Sequence, residues 1–90
     1  MRHALDSLLG EVVVLDLASP YVYLGRLVSV DAEHLVLEEA DCHDLRDTTT
    51  TREKYVLDCR RHGFGPNRRQ VWVNRREIVG VSRLEDVVEE

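Results

Sequence analysis

The feature that most constrains this chain is a series of short, β-branched apolar runs separated by turn residues, with a glycine inside the longest run. Such runs predict β-strands. Gly25 interrupts YVYLGRLVSV, and a glycine inside a strand indicates a sharp bend or a close backbone approach. Because short strands bury little surface alone, the pattern predicts an all-β fold, a strongly bent five-stranded antiparallel barrel. The predicted strands are 11–17, 21–30, 34–40, 69–74 and 77–84.

Two segments have a helical pattern instead. Residues 2–9 place apolar side chains at helical spacing ahead of Gly10, which predicts a short N-terminal α-helix. The residues 1–90 are few enough for one domain only. We expect the acidic end, residues 85–90, to fray.

The second helix is predicted within a segment inserted between the third and fourth strands, residues 41–68. Thr50 and Glu53 have the spacing of a capping box, and Gly63 is suited to a C-terminal cap. These signals predict a helix over 51–62, joined to the next strand by the turn sequence GFGPN.

The formal net charge of −5 hides three blocks of different sign. Residues 1–51 carry three Arg against ten acids (−7), residues 52–76 eight basic residues against two acids (+6), and residues 77–90 one Arg against five acids (−4). This pattern indicates either faces of opposite charge that pair within or between subunits, or a phosphate-binding patch. The basic patch would consist of Arg60, Arg61, Arg68 and Arg69.

Composition narrows the class of protein. Two cysteines are too few for a disulfide scaffold, and no signal peptide is evident, so we expect a cytoplasmic protein. No apolar run approaches the ~20 residues that span a bilayer, so no membrane partner is expected. The cluster DCHDLRD gathers a thiol, an imidazole and acids, but glycine-rich phosphate loops and nucleophile elbows are missing. The sequence therefore predicts neither an enzyme nor a cofactor.

A zinc site is a competing interpretation of the cysteines and histidines. On the predicted helix Cys59 and His62 would share a face, and Cys42 or His43 would have to complete the site from a loop. Sequence neighbours such as Cys42 and His43 rarely converge on one ion. Because a buried Cys59 that packs the helix on the barrel is the commoner arrangement, we expect no metal site.

The order of elements, with particular residues at the bends, resembles the Sm and Sm-like family. The first family motif matches GEVVVLDLASPYVYLGRLVSVDAEHLVLEEA, and the agreeing positions are Gly10, Gly25, Leu27, Asp31 and the LVL of 35–37. The second motif matches VWVNRREIVGVSRL, with Val73 at the position of an isoleucine and Ile78 opening the last strand. The resemblance implies an Sm-like barrel. As the residue that closes a strand, Asp31 is expected to accept backbone hydrogen bonds and orient its loop, rather than to contact a ligand directly.

The resemblance further implies self-assembly. In this family the fourth strand of one subunit pairs with the fifth strand of its neighbour, and the subunits close a ring. An unpaired edge is costly to leave exposed, which favours the same arrangement here. Trp72 is then either a core or an interface residue. The oligomer edge would be formed by Val71, Trp72, Val73, Ile78 and Val79.

The resemblance also implies a pocket for single-stranded RNA at the central hole of the ring. His34 stands where RNA-binding members have an Asn, and Asn74 with Arg75 replaces their Arg-Gly pair, while Arg76 keeps positive charge in the same turn. His34 could stack on a base, and Asn74 could pair with a base edge. Two functions stay open. One is an RNA-binding homo-oligomeric ring, and the other is a structural adaptor that has lost the pocket and holds a protein partner.

Overall fold

The five predicted strands are all present in the structure, a computed structural model that describes residues 4–89. Neighbouring strands are antiparallel, in the order β4-β3-β2-β1-β5. The predicted all-β fold is therefore confirmed, and β4 and β5 are the two edges of the sheet. The strands are β1 (Val12–Leu17), β2 (Tyr21–Val30), β3 (His34–Asp44), β4 (Arg68–Asn74) and β5 (Ile78–Arg83).

One α-helix, α1 (Arg52–His62), lies between β3 and β4, within a residue of the predicted bounds. Its N-cap is Thr51, whose hydroxyl accepts a hydrogen bond from the Lys54 N–H at 3.2 Å, so the prediction of Thr50 was wrong by one position. Gly63 ends the helix as predicted, with φ of 78° and its N–H on the Cys59 carbonyl at 2.9 Å. None of the helices within residues 4–89 is long and apolar enough to cross a membrane.

The N-terminal segment forms a 3-10 helix, Ala4–Leu8, rather than the predicted α-helix, and residues 2 and 3 lie outside the described part of the chain. Side chains three residues apart align in a 3-10 helix. Leu5 and Leu8 have this spacing, and both pack against the core. The tight turn therefore places two leucines on the barrel with only five residues.

Strand β3 continues to Asp44, four residues beyond the predicted end at Ala40 and into the segment assigned to the insert. The first residues of β2 extend it, because Tyr21 pairs with Asp44 and Leu24 with Asp41. The polar sequence DCHD carries no strand signal of its own. Its pairing partner, twenty residues earlier in the chain, decides its conformation.

The bend at Gly25 coincides with a β-bulge. Leu24 pairs with Asp41 and Arg26 with Glu38, so β3 holds one residue more than β2 over this stretch, and Glu39 there has a positive φ of 49°. A Cβ on Gly25 would lie 3.0 Å from the Cβ of Ala40. The glycine is therefore needed for the close approach of two backbones.

The sheet buries apolar side chains on both faces, and we call the two groups the inner and the outer cluster. All five strands contribute to the inner cluster or pack on it, so the bent sheet closes around it, whereas α1 covers the outer cluster. The inner cluster is Val13, Leu15, Leu17, Leu27, Leu35, Leu37, Ala40 and Val73. The outer cluster is Val14, Val22, Leu24, Val56 and Cys59.

Residues 84–89 lie on the outer layer, while residue 90, the last of the end predicted to fray, lies outside the described part of the chain. A 3-10 helix spans Leu84–Asp86, and Val87 packs against the outer cluster. Beyond it, Glu89 accepts a hydrogen bond from the Arg61 Nε at 3.0 Å. Residues 87–89 thus meet both an apolar surface and a cation beside α1.

Candidate functional site

The loop between β2 and β3 is organised by Asp31. Its Oδ1 accepts hydrogen bonds from the backbone N–H groups of Glu33 and His34, each at 2.7 Å. These two bonds hold the pKa of the Asp31 carboxyl below its usual range. The predicted role of Asp31 as a turn residue is confirmed, and His34 starts β3 in a defined orientation.

The turn between β4 and β5 is held by Asn74 and Arg75. Asn74 Oδ1 accepts from the Arg76 N–H at 2.9 Å and so caps the 3-10 helix Arg75–Glu77. The Arg75 N–H donates to the Glu33 carbonyl at 2.9 Å, and its Nη1 donates to the Asp31 carbonyl at 3.0 Å. Arg75 therefore joins the two loops, a role that the sequence did not predict.

The two loops enclose a cleft of about 280 Å³, which we call the loop cleft. His34 and Asn74 face each other in the β3–β4 register. All four residues predicted to contact RNA are brought together here, from positions forty residues apart in the chain. Glu33 also lines the cleft and adds a carboxylate to its rim. It was not predicted from the sequence, although it directly precedes His34 in the chain. The lining is Ala32, Glu33, His34, Asn74, Arg75 and Arg76.

The loop cleft can offer three kinds of contact. His34 supplies a flat imidazole, Arg76 an exposed cation, and the Asn74 amide a donor for a base edge. Asn74 Oδ1 and one nitrogen of Arg75 already hold the turn. Recognition of a base would therefore rest mainly on His34 and the amide nitrogen of Asn74.

The predicted basic patch is divided between two elements. On α1, Arg60 and Arg61 approach the Glu89 carboxylate at 3.9 and 3.0 Å, so part of their charge is offset. Arg68 and Arg69 lie exposed at the start of β4, where Arg68 Nη1 donates to the Asn67 carbonyl at 3.0 Å. The four arginines therefore do not form one patch. Arg60 and Arg61 are paired within the chain, and Arg68 and Arg69 lie at a sheet edge.

The predicted oligomer edge contains both buried and exposed side chains. Val73 is in the inner cluster, and Val71 and Ile78 pack against it. Trp72 points to the other face, opposite Val36 of β3, and is 60% exposed, while Val79 is 71% exposed. Of the two alternatives for Trp72, a place in the barrel core is therefore excluded.

The proposed zinc ligands do not converge. Cys42 packs against the inner cluster and Cys59 belongs to the outer cluster, so the sheet separates them. His62 is exposed, and His43 stacks on Tyr55 with ring centroids 4.0 Å apart. Across residues 4–89, no three His, Cys, Asp or Glu side chains are placed to hold a metal ion. Burial raises the pKa of both thiols, as expected for packing residues.

A polar anchor ties α1 and the chain after it to the extension of β3. The Tyr55 hydroxyl donates to the Asp41 carboxylate, and Asn67 Nδ2 donates to the other Asp41 oxygen at 3.1 Å. Asn67 also bonds both backbone groups of Cys42, at 3.0 and 3.1 Å. Burial, and then the bond to Asp41, raises the pKa of Tyr55. The sequence did not predict this anchor because its members are distant in the chain, with Asn67 lying 26 residues after Asp41.

Solved structures share this architecture. The Sm protein of Pyrococcus abyssii in complex with a uridine heptamer is 16% identical with a TM-score of 0.61, covering 91% of this chain and 99% of that one. A chain of the NatC complex bound to CoA is 20% identical with a TM-score of 0.58, covering 97% and 92%.

A chain of the NatC complex bound to Gag peptide and CoA is 22% identical with a TM-score of 0.53, covering 86% of each chain. No protein family and no curated protein matches the sequence. The five bent antiparallel strands and these similarities together show that the chain has the Sm-like fold.

Proposed function

We propose that this chain is a ring-forming Sm-like protein that binds single-stranded RNA in the loop cleft. The observation that supports RNA binding is the convergence of His34, Asn74, Arg75 and Arg76 on one cleft from two separate loops. A structure of similar fold, the archaeal Sm protein, was solved with a uridine heptamer. No catalytic step is assigned to the chain.

The chemistry of the loop cleft suits an unpaired nucleotide. An imidazole such as that of His34 is a platform for a splayed-out base, and an amide nitrogen such as that of Asn74 donates to a base carbonyl. Arg76 supplies charge for a phosphate. Single-stranded RNA offers all three partners, whereas a duplex hides its bases from so narrow a site.

Ring formation is supported by the two sheet edges. β4 and β5 end the sheet on opposite sides, each with unpaired backbone groups along its outer margin. Pairing β4 of one subunit with β5 of the next would satisfy both edges at once, and a closing rotation gives a ring. Such a ring would repeat the loop cleft once in every subunit.

Titration with fluorescent uridine-rich and adenine-rich oligonucleotides at two salt concentrations tests the RNA proposal. We expect binding that weakens as salt rises, because phosphate contacts release counterions. The double variant His34→Ala/Arg76→Ala should lose most of the affinity, whereas Lys54→Ala, which removes an exposed cation from α1, should not. An absence of binding at low salt would contradict RNA as the ligand.

A second candidate is a structural adaptor that binds a protein partner. It is favoured by the use of Asn74 Oδ1 and Arg75 within the chain, which leaves fewer groups for a base. Under this alternative the double variant changes no measurable property, while Val71→Pro, at edge strand β4, lowers the assembled mass. If Val71→Pro keeps the parent mass, edge pairing is wrong for both candidates.

A further inference from the structure

The segments that contain the two edge strands, residues 68–76 and 77–86, carry opposite net charge. Residues 68–76, which comprise β4 and most of its following turn, contain four Arg and no acid. Residues 77–86, which comprise β5 and the 3-10 helix after it, contain three acids and one Arg. The chain as a whole is acidic, so a purely basic edge strand needs a specific explanation.

Strand direction determines which of these charges would meet. In an antiparallel junction, the start of β4, with Arg68 and Arg69, lies beside the end of β5 on the next subunit. Strand β5 ends at Arg83, and after Leu84 come Glu85 and Asp86, whose two negative charges outweigh that of Arg83. We propose that Arg68 and Arg69 of one copy pair with Glu85 and Asp86 of a second copy, and that this contact selects the head-to-tail junction. The inference rests on the edge pairing proposed above.

The same charges oppose the two symmetric alternatives. A β4–β4 antiparallel pair would bring Arg68 and Arg69 beside Arg75 and Arg76 of the second copy, in both halves of the junction. A β5–β5 pair would bring Arg83, Glu85 and Asp86, which together are net negative, beside a second Glu77. Like charges directly opposed are unfavourable, so only the β4–β5 junction combines attraction at its end with sheet continuity.

These side chains are accessible for an external contact. Glu85 and Asp86 approach Arg83 of their own chain only at 3.5 and 3.9 Å, and their side chains remain 64% and 63% exposed. Arg68 and Arg69 are also exposed. Arg60 and Arg61 differ, because Glu89 lies beside them within the chain. Within the acidic end, Glu89 therefore pairs with α1 of its own chain, whereas Glu85 and Asp86 are accessible to a neighbouring subunit.

The shapes of the two edges also agree. Trp72 stands on the outer face of β4, and the outer-face residues of β5 are Gly80 and Ser82, which pair with Asp16 and Val14 of β1. Opposed residues on adjacent strands share a face. In the register that sets Arg69 opposite Glu85, Trp72 would lie opposite Ser82, so the exposed indole meets a small side chain.

Charge reversal tests the pairing. We would measure solution mass by light scattering, over a range of concentrations, for Arg68→Glu/Arg69→Glu and for Glu85→Arg/Asp86→Arg. Each variant should need at least about a tenfold higher protein concentration to assemble, since attraction becomes repulsion at both positions. An equimolar mixture should assemble again, because each variant's reversed edge complements the other variant. Arg46→Glu/Lys54→Glu makes the same change in net charge as Arg68→Glu/Arg69→Glu, but elsewhere, and should assemble like the parent.

The outcomes separate this inference from the proposed function. Recovery of assembly in the mixture also shows that both variants are folded, and it supports the pairing. A parent chain that assembles while both reversed variants assemble equally well would overturn the charge contact and leave edge pairing intact. A parent chain that remains at its monomer mass of 10.4 kDa would overturn edge pairing itself. Loss of RNA affinity in Arg68→Glu/Arg69→Glu without any change in assembly would assign these arginines to RNA and overturn the inference.

Discussion

The two faces of the sheet bury their side chains in different ways. The inner cluster is built entirely from strand residues, and its members are at most 6% exposed. The outer cluster takes three residues from strands and two, Val56 and Cys59, from α1. Its partly buried neighbours come from the insert and the tail, among them Phe64 and Val87. The inner cluster is thus formed by strand residues alone, whereas the outer cluster is buried only when α1 and the C-terminal residues cover it.

This difference indicates where the molecule opens first. α1 contributes only two buried residues, and much of its attachment is the polar anchor of Tyr55, Asp41 and Asn67. Segments with few buried contacts open locally at lower free energy than the core strands. We therefore expect α1 to open before the barrel strands do.

The largest expected effect compares two leucines on the same strand. Leu27 and Leu24 of β2 are both fully buried, but they point into the inner and the outer cluster respectively. Leu27→Ala should lower the free energy of unfolding by about 4–5 kcal/mol, and Leu24→Ala by only about 2–3, since α1 can settle into the cavity. Urea denaturation measures both. Equal losses would show that the outer layer is as rigid as the barrel.

The next effect concerns the bulge that bends the barrel. Gly25→Ala places a Cβ 3.0 Å from Ala40 Cβ and 3.1 Å from the Glu38 carbonyl oxygen, so the two strands must separate. We expect a loss of about 1–3 kcal/mol in thermal or urea unfolding. Gly65→Ala in the insert is the matched control, because a Cβ there meets nothing within 4 Å. The control should be neutral or stabilise by up to about 1 kcal/mol.

A smaller effect is expected at the polar anchor. Tyr55→Phe removes the bond to Asp41 and should cost about 1–2 kcal/mol, seen first as faster amide exchange in α1 rather than in the barrel strands. The pKa of Tyr55 is raised from 10.0, so its contribution is complete below that pH and declines as the pH rises above it. Tyr23→Phe, against the inner cluster, is the control that should leave α1 protected. If Tyr55→Phe accelerated amide exchange equally in α1 and in all the strands, independent opening of the insert would be contradicted.

The smallest effect lies at the entrance to the insert. Asp44 accepts from the Arg46 Nε at 3.0 Å and from its backbone N–H at 2.9 Å, and these bonds lower the pKa of Asp44 to about 2. A lowered pKa adds stability that is present above 3.8 and is lost as the pH falls through about 2. Asp44→Ala should therefore reduce the loss of stability between about pH 5 and pH 2. Because the Arg46 side chain is 65% exposed, against 16% for Asp44, the difference should be modest, and an unchanged acid profile would exclude a role for Asp44 in it.

Much of the fold was predictable because its signals are local. β-Branched runs, Gly25 at the bend, Asp31 at the turn and Gly63 at the helix end each act through their own backbone or that of a near neighbour. Four consecutive threonines precede α1, and any of them is chemically able to cap it. The structure selects Thr51, whose hydroxyl accepts from the Lys54 N–H.

The candidate site was predictable only in part. Resemblance placed His34, Asn74, Arg75 and Arg76 in one site, and the structure brings them together in the loop cleft. The bond from Arg75 to the Asp31 carbonyl was not predictable, because it spans 44 residues and depends on how two turns approach each other. For the same reason the full length of β3 depended on pairing with the start of β2.

By itself the sequence determined the five strands and the helix after the third, their order, the bend at Gly25 and the three blocks of alternating net charge. These properties follow from side-chain shape, backbone freedom and charge, which each residue carries into any fold. The tertiary structure alone decided that the two cysteines lie on opposite faces of the sheet, that Trp72 faces solvent and that Glu89 offsets the positive charge of Arg61 on α1. A side chain's face depends on strand register and on what packs above it, and both are set by residues distant in the chain.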